Sequence, residues 1–512
     1  MKTNTLFLLI CMSSFLTSFG QLDEEFGDQG RVITQLGTSV SFAKAIKPIA
    51  VGKLLVAGYA NYAEESDFLL IRYNNDGSID NSFGENGIVL TDFSSSNEFA
   101  ERIVLQPDEK ILLGGNTNDF FALARFHPEG SIDSSFGTNG KVITDIEGIG
   151  YYQCGSLEIV ADEKILLAGS LGYTGILIKY NSNGTLDNSF GENGFLELNF
   201  GNAGDEYIDV SMVVQPDGKI VVAGLSFTES YDFTLMRFTA DGIPDVSFGV
   251  NGKSTADVYN LSDDRTTCMV LQSDGKILVT GWAGIFNGEW SGWDFGVARF
   301  NTNGTLDNTF GDGGTVHTNI DGTWDDRPQS IAIQTDDKIV VGGYRYYLEE
   351  SDFALVRYKS DGSIDDSFGT DGYMLTDFNN SYDYALSLCI QSDGKILLAG
   401  NSNENIALTR YLSGSALSIT ATGECSAIIL DIYPNPAQSD IILKYDLSSD
   451  ALISTALYDG SGKRIMIFID NEKRPAGVQI EILKMNPSLS AGNYFIDINL
   501  GKNKSVRQII KL

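Results

Sequence analysis

Ser78-Ile79-Asp80-Asn81-Ser82-Phe83-Gly84-Glu85-Asn86-Gly87 decides the reading of this chain, because the same ten-residue pattern returns again and again. It recurs at Ser131–Gly140, Thr185–Gly194, Ile243–Gly252, Thr305–Gly314 and Ser363–Gly372, and a shortened copy spans Leu22–Gly30. The shared phenylalanines are Phe26, Phe83, Phe136, Phe190, Phe248, Phe310 and Phe368, spaced by 57, 53, 54, 58, 62 and 58 residues. A regular period of this length marks a repeat architecture, here with seven units. Each unit holds four short apolar runs. In the second they are Ile88–Phe93, Ala100–Gln106, Lys110–Gly115 and Phe120–Phe126, all bounded by Gly, Asn or Asp as strands are. The second and third runs are joined by turns such as Gln215-Pro216-Asp217-Gly218-Lys219. Asp-Gly there is a hairpin signal, since Gly accepts the positive φ such a turn needs.

Four strands per unit and seven units predict an all-β, seven-bladed β-propeller, whose sheets bury both faces against their neighbours. A β-helix, with shorter rungs, fits the period less well. If each physical blade begins at the second run, the first run, Arg31–Leu36, becomes the outer strand of the last blade and clasps the ring, leaving no open seam. The pairing of Leu/Ile-Asp-x-Ser-Phe-Gly-x-x-Gly with Gln-Pro-Asp-Gly-Lys-Ile and Asp-Phe-Ala-Leu-x-Arg-Tyr resembles the delta-60 repeat family of β-propellers over residues 22–412. Units 1 and 3 depart from the family hairpin, at Ala50–Lys53 and Ala161–Lys164. The resemblance implies a fold and no settled activity.

The chain has 512 residues, with 35 Lys and Arg against 68 Asp and Glu, a net charge of −33. The charge is not spread evenly. Residues 1–20 and 426–512 each carry +1, so residues 21–425 hold 24 basic and 59 acidic residues, net −35. Such a field repels nucleic-acid phosphate and anionic lipid, which are excluded as partners. Residues 1–20, with Lys2, an apolar run and Ser18-Phe19-Gly20, read as a secretory signal peptide cleaved after Gly20. Cys11 follows Ile10, too bulky for a lipoprotein site. No later segment is apolar enough to span a membrane as a helix. Cys154, Cys268, Cys389 and Cys425 form no CxxC pair and are too few for a disulfide scaffold.

Spacing separates scaffold from candidate site. From the basic residue of the fourth run (Arg72, Arg125, Lys179, Arg237, Arg299, Arg357) to the next motif Phe is always 11 residues. That constancy assigns the cation to structure, paired with the motif Asp (Asp80, Asp133, Asp187 and their equivalents) in a partly buried bridge. Length varies mainly between the third and fourth runs, on the face where binding sites on rigid scaffolds are expected. All four tryptophans fall there. Trp282, Trp290, Trp293 and Trp324, with Tyr344 and Tyr346, are the candidate ligand-binding residues, suited to stacking on a sugar or packing against a protein. A loop folding over its own aromatics as a small core is the plainer alternative.

Residues 413–427, rich in Ser, Gly and Thr, read as a linker, and 428–512 as a small Ig-like β-sandwich. The Tyr433-Pro434-Asn435-Pro436 opening, the Gly492-Asn493-Tyr494 strand and the basic, apolar last strand resemble the type A C-terminal sorting domain of type IX secretion substrates. This implies the type IX machinery as partner and a secreted or surface-attached location in a Gram-negative cell.

No catalytic residue is assigned. Two histidines, His127 and His317, leave little for His-dependent triads or multi-His metal sites, and there is no GxSxG or Walker loop. No cofactor or metal is expected. Asp/Asn-rich turns are compatible with calcium, but no twelve-residue calcium loop is present. The sequence therefore favours a secreted, non-catalytic module binding a glycan or a protein. The alternatives are a carboxylate-dependent carbohydrate-active enzyme and a purely structural surface or motility component.

Overall fold

The computed structural model describes residues 21–413 and 427–511, apart from residues 38–39, 50–51, 63–64, 94–96, 147–150, 202–207, 228, 260–261, 287–289, 321, 323–324, 348–349, 434–439, 448–450, 460–462, 476, 487–488, 490–491 and 501–502. The signal-peptide segment and Cys425 lie outside the described residues. The chain divides into two compact units, residues 1–416 and 417–512.

In the first unit every repeat folds into a four-stranded antiparallel sheet, with strands lettered A to D from the inside outwards. Blade 1 is built from Ser41–Pro48, Leu54–Tyr62, Glu65–Tyr73 and Ile88–Thr91, and blade 2 from Glu98–Leu105, Ile111–Thr117, Phe121–Phe126 and Lys141–Thr144. Blade 3 holds Tyr152–Ile159, Ile165–Leu171, Thr174–Tyr180 and Phe195–Leu198. Blade 4 holds Ser211–Val214, Ile220–Phe227, Tyr231–Phe238 and Lys253–Ala256. Blade 5 has Asp264–Leu271, Ile277–Phe286, Trp290–Phe300 and Thr315–Thr318. Blade 6 has Asp325–Ile333, Ile339–Tyr347, Glu350–Tyr358 and Tyr373–Thr376. Blade 7 takes Asp383–Ile390, Ile396–Ser402 and Asn405–Tyr411 from the end of the repeats and its fourth strand, Arg31–Thr34, from the beginning, in the register Arg31 to Thr409 and Thr34 to Ile406. This is the clasp the sequence predicts. Each A strand touches the next, and that of blade 1 touches that of blade 7, so the ring is closed.

Strands B and C are buried almost throughout, because both faces of each sheet meet another sheet. Among the described residues, seven apolar clusters result, each filling the space between two neighbouring blades. Phe83, for example, packs with Ile111 and Phe126 of blade 2, and Phe26 with Leu397 and Leu408 across the blade 7–blade 1 seam. The glycines that recur in each unit follow from this packing. Gly130 has φ +93°, and a Cβ there would lie 2.9 Å from the Phe83 ring of the preceding unit. At the divergent hairpin of unit 3, Ala161–Glu163 form one 3₁₀ turn with Asp162 and Glu163 at positive φ.

Among the described residues, the second unit has seven strands in two sheets. Ala427–Tyr433, Asp440–Leu447 and Gly477–Lys484 form one, and Arg464–Arg474, Ala451–Asp459, Gly492–Leu500 and Asn503–Lys511 the other. One core, including Ile441, Leu443, Tyr445, Leu457, Ile496 and Ile498, serves both sheets.

Candidate binding face

The A–B hairpins and C–D connections leave the propeller on one face, and the B–C and D–A connections on the other, because strand direction reverses at each turn. The first face is a repeated scaffold. Arg125 Nε donates to Asp133 at 2.8 Å, Arg299 to Asp307 at 2.8 Å, Arg357 to Asp365 at 2.8 Å and Arg410 to Asp23 at 2.7 Å. Each guanidinium also lies over its motif phenylalanine, Arg357 at 4.3 Å from the Phe368 ring centre. It also donates to a backbone carbonyl of the following repeat, as Arg125 does to Ser182 and Arg237 to Thr302. The hairpin lysine completes the group: Lys53 meets Asp80 at 2.6 Å and Lys395 meets Asp23 at 2.9 Å. Burial opposes ionisation of Asp80 and Asp133, but hydrogen bonds from serine and from these cations prevail and hold both well below the ordinary carboxylate range.

The sequence-predicted bridges are therefore present, with one departure. Lys179 has a single ammonium instead of a fork. It donates to the Ala240 carbonyl at 2.8 Å, and Lys164 takes over Asp187 at 2.8 Å. The seven repeated cations are consumed in holding blades together.

The opposite face is where the candidate residues lie. Trp282 (strand B) and Trp293 (strand C) of blade 5 are in tilted contact, ring centres 5.7 Å apart, and the Trp282 indole N–H donates to the Pro328 carbonyl of blade 6 at 3.1 Å. Arg327 covers Trp282 at 4.8 Å and Tyr346 at 5.9 Å while its guanidinium is gripped by both oxygens of Asp325, at 3.0 and 2.9 Å. The chain of rings continues into blade 7. Tyr384 lies 4.9 Å from Tyr344 and 5.9 Å from Tyr346, and the hydroxyls of Tyr346 and Tyr384 are 2.6 Å apart. Tyr382 stacks parallel to Tyr384 at 6.5 Å. Four of the six predicted residues are thus brought into one network: Trp282, Trp293, Tyr344 and Tyr346. Trp290 lies on the same strand as Trp293, its side chain outside the described residues, as is Trp324.

Much of this network is interior. Trp293 is 7% exposed and Tyr344 8%, as in a loop-end core. The outward-facing rings are others. Among the described propeller residues, the exposed aromatics are Tyr151, Tyr173, Phe227, Tyr347 and Tyr382, and every one sits at a B–C or D–A loop end. A second aromatic group, which no sequence pattern singled out, joins blades 1 and 2: Phe42 stacks on Tyr59 at 5.0 Å and Tyr59 meets Phe99 edge-on at 4.8 Å.

Buried carboxylates shape the D–A loops. Asp264 accepts from Val258 N at 2.6 Å, Asp326 from Ile320 N at 2.7 Å and Asp383 from Phe378 N at 2.7 Å. Desolvation pushes Asp264 up to about 8. Three acidic groups, Asp67–Asp92–Glu98, Asp232–Asp257–Asp264 and Asp352–Asp377–Asp383, bring ligand atoms within 4.8 Å of one another. Beside Trp282, Asp325 is engaged by Arg327 and Asp326 by the backbone amide of Ile320. His317 Nε2 lies 2.6 Å from buried Asp294 and stacks on Tyr259 at 4.2 Å.

The model of the family described as "Domain of unknown function (DUF5122) beta-propeller" matches seven times, at residues 52–83, 106–136, 161–190, 215–248, 272–310, 334–368 and 391–417. The propeller belongs to the DUF5122 β-propeller family. Residues 431–512 match the secretion system C-terminal sorting domain, which indicates export by the type IX machinery and an extracellular or cell-surface location for this DUF5122 protein. No helix among the described residues is long and apolar enough to cross a membrane. No curated protein matches the chain. Similar solved structures include a fungal alcohol oxidase of the AA5 family (11% identity, 94% of this chain and 98% of that one, TM-score 0.46). Drosophila plexin A in complex with semaphorin 1b gives 11%, 77% and 87%, TM-score 0.41. The Nup133 β-propeller domain of Vanderwaltozyma polyspora gives 12%, 74% and 100%, TM-score 0.38. Likeness at this level carries no functional argument.

Proposed function

We propose that the DUF5122 propeller is a non-catalytic binding module, displayed outside the cell by its sorting domain, and that it engages its ligand with the face of the B–C and D–A loops. The observation that carries this reading is the confinement of the exposed aromatic rings, among the described residues, to that one face, set beside a scaffold face whose repeated cations are spent on the motif aspartates. Exposed Tyr and Phe offer large contact area at little entropic cost, for a sugar ring or a protein surface alike. The full chain and a Tyr347→Ala/Tyr382→Ala variant, screened against arrayed glycans and envelope proteins, test it. A ligand bound by the wild type and lost by an equally stable variant is the expected result. Identical profiles for the two, or turnover of an arrayed glycan, would overturn it.

A further inference from the structure

We infer that the partner of this face is a basic polypeptide surface. The inference rests on the binding-face reading and adds the charge of the ligand.

Among the described residues, the B–C and D–A connections carry nine acidic residues and not one Lys, Arg or His. On the opposite face the motif aspartates each meet a lysine or an arginine, and fourteen of the 24 basic residues of segment 21–425 are spent there: the seven C-strand cations and the seven hairpin lysines. Arg327 and Arg345, at the strand ends of the binding face, are themselves matched, to Asp325 and to Asp352 at 2.7 Å. Asp119, Asp145, Glu229, Glu350 and Glu404 are exposed among the same loop ends that present Tyr151, Tyr173, Phe227, Tyr347 and Tyr382.

Aromatic rings within a net negative field suit a surface of lysine and arginine. The field steers the encounter, and the rings offer faces for cations once water is displaced. A neutral glycan would gain nothing from the charge. An acidic glycan, a nucleic acid or an anionic bilayer would be repelled.

The test uses the full chain with three fluorescent probes: octalysine, octaglutamate and neutral maltohexaose. Octalysine is expected to bind and the other two to fail. Binding should weaken as salt rises from about 0.01 to 0.15 M, over which the screening length falls from about 30 to 8 Å. Two variants of equal net charge locate the site. One carries Asp119→Asn, Asp145→Asn, Glu229→Gln, Glu350→Gln and Glu404→Gln. The other carries Glu24→Gln, Glu85→Gln, Glu192→Gln, Asp241→Asn and Asp366→Asn on the opposite face. The first should bind octalysine about tenfold more weakly and the second within about twofold of wild type. Equal losses in both, or no octalysine binding, would overturn the inference. Maltohexaose bound by the wild type and lost in Tyr347→Ala/Tyr382→Ala would also overturn it, while leaving the binding-face proposal standing. Octalysine binding confined to this face yet indifferent to the two tyrosines would do the reverse, removing the aromatic face and keeping the charge.

Discussion

Replacing Asp23 by alanine tests the closure of the ring at its most informative point. Asp23 is 5% exposed and Arg410 2%. One Asp23 oxygen takes Arg410 Nε at 2.7 Å and Lys395 Nζ at 2.9 Å, and the other accepts Glu25 N at 3.2 Å. Removing the carboxylate leaves Arg410 buried with the Asn75 carbonyl at 2.5 Å, the Asn75 side chain at 3.0 Å and the Phe26 ring at 4.6 Å. Breaking one side of a buried pair costs about 3–5 kcal/mol, and the surviving acceptors place this case at the lower end, about 3 kcal/mol. Asp23→Ala/Arg410→Met, which removes the stranded charge as well, should be less destabilised than Asp23→Ala alone. Guanidinium unfolding followed by tryptophan fluorescence measures both. All four tryptophans belong to the propeller segment, so that signal reports it without the C-terminal unit. Amide exchange should quicken first in Arg31–Thr34 and Asn405–Tyr411, the strands joined across the seam. A single variant within about 1 kcal/mol of wild type, or a double variant as unstable as the single, would refute the argument.

The same aspartates give the propeller an acid limit. Because Asp80, Asp133, Asp245 and Asp307 are held below the ordinary carboxylate value, their contribution is complete above that value, near pH 4, and is lost as pH falls through the depressed folded values. Thermal melts between pH 7 and pH 2, compared at constant ionic strength, should therefore collapse only at the acid end. Asp264 works in the opposite sense: its folded value, about 8, lies above the unfolded one, so stability falls as pH rises from about 4 to 8. Asp264→Asn should flatten that slope in urea titrations at pH 5, 7 and 9. Gly130→Ala, at positive φ and against the Phe83 ring, is expected to cost about 2–3 kcal/mol. Gly37→Ala, at positive φ with nothing within 4 Å, should cost about 1 kcal/mol. Equal melting shifts in the two would discount the packing argument.

The blade was legible in the sequence because its key residues answer to local needs. The C–D connection must turn through glycine, bury a phenylalanine and hold an aspartate against a cation eleven residues before that phenylalanine, and each unit repeats the solution. The clasp was legible too, since the repeat begins one strand out of phase with the sheet. The arrangement of the candidate face was less so. Trp282 stood out as a rare residue, but nothing in its neighbourhood of sequence announced that Arg327, from the next blade, would cover it, or that Tyr384 would complete the row of rings. Those contacts cross between blades and depend on which side chain the ring brings opposite. Burial of Trp293 and Tyr344 has the same origin. Lys179 shows the limit in miniature: its spacing matched the arginines, while its shorter reach and single donor group sent it to a different acceptor.

The clasp also orders events in time. Asp23 and Arg410 are 387 residues apart, and the strand Arg31–Thr34 finds its hydrogen-bonding partner only in the seventh repeat. A chain delivered N-terminus first must keep that early segment waiting, unpaired, while six complete sheets are made after it. The last repeat to arrive is then the one that locks the first, so that a prematurely terminated copy has no means of shutting its own circle.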